Sequence, residues 1–165
     1  MKDISHAINV SHIVDKICKK LGIRDPGRSL FKTAGLLHDI GKMCVPTPLL
    51  DKPEALTSDE YKVIQCHVSI GYHLLNNMPD RIHKVAAQAA LYHHERLDGS
   101  GYLKLYDEKI PYVARIIAVA DVYDALVSDR PYRDAWKIDD VKEYIREQAG
   151  EKLDMEIVMA LLAVV

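Results

Sequence analysis

The sequence predicts an all-α fold, a single bundle of about seven helices, and three observations carry that prediction. Apolar residues recur at helical spacing along nearly the whole chain, with few strand-like alternations. Glycine, proline and capping residues punctuate those stretches where helices should stop and start. At 165 residues, 48% hydrophobic and 28% charged, the chain fits one domain, residues 1–165, large enough to bury a core.

The first helix carries Val10, Ile13, Val14, Ile17, Cys18 and Leu21 on one stripe, and Gly22 ends it. A second spans about Gly27 to Asp39, interrupted by Gly41. Pro46, Pro48 and Pro53 mark residues 45–56 as a loop. Thr57 and Glu60 have capping-box spacing, opening a helix through Ile64, His67, Val68, Gly71 and Leu75. Another covers about Asp80 to His93, followed by a glycine-rich loop from His94 to Lys109. Pro111 suits the start of the helix Tyr112 to Val127, which is apolar nearly all round and therefore central. Two shorter helices, about Ile138 to Ala149 and Asp154 to Val164, are separated by Gly150. There is no internal repeat.

A net charge of -2 argues against duplex nucleic acid as a partner, so an anionic ligand must be met by local charge. A small nucleotide fits better. Three cysteines without a CxxC pair, and no recognisable signal sequence, point to a reducing cytoplasm. No apolar run approaches the ~20 residues of a membrane span.

The eight histidines are the outlier. His6 extends the apolar face of the first helix, and His67 sits on the stripe of Ile64, Val68 and Gly71. His93 follows Ala86 and Ala89 at helical spacing, and Asp121 follows Val113 and Ile117. His38 and Asp39 end a helix whose inner face includes Ala34 and Leu37. Titratable groups pointing inward are expensive to bury unpaired, and a shared cation is the simplest common solution. Imidazole and carboxylate suit borderline transition metals. Two such ions about 3.5–4 Å apart can activate a bridging water and stabilise both oxygens of an in-line phosphoryl displacement. By the same geometry His12, His73 and His83 are peripheral, Glu95 is expected to orient a ligand, and Asp124 to pair with an arginine.

Two stretches, His38-Asp39-Ile40-Gly41-Lys42 and His93-His94-Glu95-Arg96-Leu97-Asp98-Gly99-Ser100-Gly101-Tyr102, resemble the HD-GYP family, a branch of the HD hydrolases. The likeness continues through Arg115 to Asp121 and Asp124 to Arg133, covering nearly the whole chain in order. It implies an HD-domain-like helical fold and hydrolysis of cyclic di-GMP to the linear dinucleotide, which some members take on to GMP. Two divalent metals, iron or manganese, would be held by His6, His38, Asp39, His67, His93, His94 and Asp121, with Asp39 bridging them. Lys42 would meet a phosphate oxygen or assist proton transfer. Tyr102, Arg130 and Arg133 would hold the substrate's phosphates or guanines. A sensor or regulatory protein or domain is an expected partner. The alternatives are an HD phosphohydrolase of another nucleotide and a catalytically silent receptor. Two positions depart from the family pattern: Leu103 stands where the signature has proline, and Lys2 where some members place a glutamate for a third metal.

Overall fold

The computed structural model describes residues 2–129 and 134–165, with side chains from Ile4 onward. Arg130 and Arg133, and the side chain of Lys2, lie outside that description. The described residues form eight α-helices and no extended strands: α1 (Lys2–Lys20), α2 (Gly27–Leu37), α3 (Thr47–Leu50), α4 (Ser58–Asn76), α5 (Arg81–Tyr92), α6 (Tyr112–Val127), α7 (Ile138–Glu147) and α8 (Met155–Leu162). A 3₁₀ turn, Ile40–Cys44, follows α2.

The all-α prediction holds, with one element more than expected. Residues 45–56 are not wholly a loop: they contain the single turn α3, which Pro48 starts rather than breaks because a proline in the first turn forfeits no helical hydrogen bond. The capping box is formed at both ends, since Glu60 N–H donates to Thr57 Oγ1 and Thr57 N–H donates to Glu60 Oε2. Asp80 and Asp154 cap α5 and α8 by side chain alone, accepting from the His83 N–H and from the Glu156 and Ile157 N–H groups respectively.

Helix α6 is the axis of the bundle. Ile116, Ile117, Val119 and Ala120 are fully buried, each large side chain contributing about 1.5–3 kcal/mol. Helices α1, α5, α7 and α8 pack around it, while α2 bridges α1 and α5. The inward face of α5 is Ala86, Ala87, Ala89 and Ala90. Such small residues let neighbouring helices come close, and Gly71 of α4 meets α5 at Ala90. That approach is what lets side chains from α4 and α5 reach one point.

Gly41 seats the 3₁₀ turn on α4. A Cβ there would overlap the His67 carbonyl and lie 2.7 Å from the Gly71 nitrogen, both backbone atoms that cannot swing aside. Gly41→Ala is expected to cost about 2 kcal/mol or more by overpacking. It should also lower metal content, because it pushes Asp39 away from His67; denaturant titration and metal analysis of the purified variant check both. No described helix is long and apolar enough to cross a membrane.

Candidate metal centre

The end of α2, the 3₁₀ turn, α4, α5 and α6 converge on Asp39. His38, His67 and His93 are 0–1% exposed, so their polar atoms must be answered within the protein. Their Nδ1 atoms are. His38 Nδ1 lies 2.7 Å from the Gly35 carbonyl, His67 Nδ1 2.6 Å from the Ile64 carbonyl, and His93 Nδ1 3.0 Å from the Ala89 carbonyl. A carbonyl only accepts, so each Nδ1 carries a proton and each ring turns its Nε2 toward the centre.

Those nitrogens crowd together around one carboxylate. His67 Nε2 and His93 Nε2 stand 3.5 Å apart. Asp39 Oδ1 is 3.3 Å from the first and 3.5 Å from the second, in directions that make no hydrogen bond. His38 Nε2 lies 3.4 Å from Asp39 Oδ2 and is also without a hydrogen-bond partner among the described residues. Converging acceptors repel unless a cation sits among them. The donor set fits a divalent metal: one group comprises Asp39, His67, His93 and His94, a second comprises His6, His38 and Asp39, and Asp39 is common to both. Asp121 joins the second group through His6, its Oδ1 lying 3.1 Å from His6 Nε2.

The charge states agree with that fit. Burial drives the His38 pKa down to about 4, so the ring is neutral and ready to ligate at neutral pH. Burial also works against charge on Asp39, but His38, His67, His93 and Lys42 hold its carboxyl well below the ordinary carboxylate range. Lys42 Nζ donates to Asp39 Oδ2. Burial and the neighbouring His93 push His94 well below the usual histidine value. For Asp121, burial is again outweighed, here by the hydrogen bond to His6 and by His38 and His94, so it stays ionised.

His6 behaves differently. Burial opposes its charge, but contacts to Asp121 and Asp124 raise its pKa to about 9. Asp124 Oδ2 accepts from His6 Nδ1 at 2.7 Å, across 118 residues of sequence, while the expected pairing of Asp124 with an arginine is untested because Arg130 and Arg133 lie outside the described residues. In metal-free protein the folded pKa of His6 is above its unfolded value. Its contribution to stability is therefore complete below about pH 6.5 and lost as pH rises through about 9, at most ~3 kcal/mol. Denaturant midpoints of stripped protein should fall across that window. Loading manganese at pH 7 should expel this proton, seen as a buffer-dependent binding heat.

The glycine-rich loop forms one wall of the centre. Gly99 has φ +76°, and a Cβ there would strike the Tyr106 ring. Tyr102 packs on His94 with ring centroids 4.5 Å apart, and Tyr61 of α4 meets it edge-on at 6.0 Å. Glu95, expected to orient a ligand, instead turns away from the centre: Oε1 accepts from Leu103 N–H and Oε2 from Leu105 N–H, each at 2.8 Å. Arg115 also serves the framework, its Nε donating to the Ile110 carbonyl at 2.9 Å. His12 and His73 are exposed, and His83 bonds Asp80 at the helix start, as their spacing predicts.

Comparison with known proteins agrees with this arrangement. A sequence profile described as the HD domain matches residues 3–157. The chain belongs to the HD domain family. Among curated HD relatives, it is 45% identical over 154 residues to the cyclic di-GMP phosphodiesterase response regulator RpfG of Xanthomonas campestris, covering 93% of this chain and 41% of that protein. It is 35% identical to 3'3'-cGAMP-specific phosphodiesterase 2 of Vibrio cholerae, covering 96% of this chain and 30% of that protein. The chain thus spans less than half the length of these relatives. Among solved structures, the HDG"Y"P protein Bd1817 from Bdellovibrio bacteriovorus superposes with a TM-score of 0.79 at 19% identity, over 98% of this chain and 52% of that one, which supports the shared helical fold. The HD-GYP resemblance of the sequence is borne out at the level of family and fold.

Proposed function

We infer that the protein is a metal-dependent phosphodiesterase that opens a cyclic dinucleotide, cyclic di-GMP first among them, to the linear dinucleotide and then to GMP. One observation carries this reading: imidazole nitrogens and carboxylates from α1, the end of α2, α4, α5 and α6 converge on Asp39. When bound, two divalent ions, iron or manganese, would activate a water and neutralise charge on the phosphoryl oxygens. His67, His93 and His94 would hold one ion, His6, His38 and Asp121 the other, and Asp39 both. The Nδ1 partners of His38, His67 and His93 hold these three rings with Nε2 already facing the centre. Lys42 brings a positive charge to the edge of Asp39, where it can meet a phosphate oxygen or pass a proton. Tyr102 supplies an apolar wall for a base, and Arg130 and Arg133 are the proposed clamps on phosphate or guanine. The proposed setting is cytoplasmic, with a regulatory domain or partner as input, in keeping with the response-regulator name of the Xanthomonas relative.

The names of the Vibrio relatives favour a second substrate, 3'3'-cGAMP, on the same centre. Anaerobic turnover of cyclic di-GMP, 3'3'-cGAMP and cyclic di-AMP with manganese or ferrous iron separates these. The highest kcat/KM is expected for cyclic di-GMP. Tight binding of all three without product would instead make the protein a silent receptor.

A further inference from the structure

Glu95 is 2% exposed and lies within the block of residues that builds the centre, yet its carboxyl group points at a loop rather than at the convergent histidines. Its two oxygens are taken up by the N–H groups of Leu103 and Leu105, so residues 101–105 wrap around the carboxyl end. Gly101 completes the wrap. A Cβ at that position would run into Glu95 Cα and come within 2.8 Å of Cδ, so only glycine lets the loop close so tightly. Lys104, between the two donors, is held at φ +57°, which fixes the turn that aims both N–H groups inward. Tyr102 sits inside this wrap with its ring on His94, and the side chain of Leu103 is 45% exposed and contributes little packing.

We propose that Glu95 is a positioning residue that holds Tyr102 on the substrate-facing wall, and that it does so through a backbone N–H that only a non-proline residue at 103 can donate. The inference rests on the reading of Tyr102 as a substrate contact. Proline at 103 would remove one of the two donors and leave Glu95 Oε1 buried without its partner. Leu103→Pro, which restores the family's signature proline, is therefore expected to loosen this loop rather than tighten it. Leu103→Ala keeps the N–H and is expected to change nothing.

The test compares the parent chain with Leu103→Pro, Leu103→Ala and Glu95→Gln by amide hydrogen exchange at Leu105, by bound manganese at saturation, and by KM and kcat for cyclic di-GMP. Exchange at Leu105 should quicken about tenfold or more in Leu103→Pro and Glu95→Gln, following the opening of the wrap. KM should rise severalfold with kcat less affected and bound manganese unchanged, a split that a general loss of structure would not give. Unchanged Leu105 exchange in Leu103→Pro, or a Leu103→Ala protein as perturbed as the proline variant, overturns the proposal. So does an unmoved KM beside quickened exchange. If Glu95→Gln fails to fold, the two Leu103 variants decide the matter. Exchange needs no turnover, so a chain that hydrolyses no cyclic dinucleotide would sink the substrate reading while leaving the loop's attachment to Glu95 independently measurable.

Discussion

Asp39→Ala protein is expected to keep its helical circular dichroism and to turn over cyclic di-GMP at least about 10³-fold more slowly, a loss of roughly 4 kcal/mol or more in transition-state stabilisation. The reason is that Asp39 belongs to both ligand groups, so a single substitution takes one donor from each. It also leaves Lys42 without the carboxylate to which it donates. Bound manganese should fall below one ion per chain. Steady-state kinetics and metal analysis on the same preparation check the two effects together. A variant that kept full activity would remove Asp39, and the shared centre with it, from the mechanism.

Lys42→Ala should behave differently. Its Nζ is not a metal ligand but a charge set against Asp39 Oδ2, at the partly open edge of the centre. Both metals should still bind. Turnover should fall by about 10²–10³-fold, within the range for loss of a proton-transfer or charge-stabilising group. A lowered kcat with retained manganese would distinguish Lys42 from the ligands. A lowered metal content would recast it as support for Asp39.

Much of this was legible in the chain because burial follows helical periodicity. His6, His67, His93 and Asp121 were identifiable by their places on apolar stripes, and the structure brings them together for the same reason. The i,i+3 spacing of Asp39 and Lys42 likewise foretells their contact. Three features were hidden, each for a physical cause. The turn Thr47–Leu50 lies in a proline-rich stretch whose composition resembles a loop. Asp124 and His6 meet across 118 residues, and helical spacing within α6 says that Asp124 shares the inward side with Asp121 but not what it will find there. Glu95 is answered by backbone N–H groups of an irregular loop, whose path leaves no periodic trace in side chains. Glycines at 99 and 101 were visible as a turn signal, but the specific obstacles they avoid, the Tyr106 ring and Glu95, depend on the folded loop.

Anomalous diffraction from crystals grown with saturating manganese, recorded on both sides of the manganese absorption edge, puts the convergence of these side chains to the most direct trial. Two peaks flanking Asp39 are predicted, one among His67, His93 and His94 and the other beside His6, His38 and Asp121. An ordered crystal with no peak near Asp39, or with manganese bound only elsewhere, would contradict a metal centre at this junction.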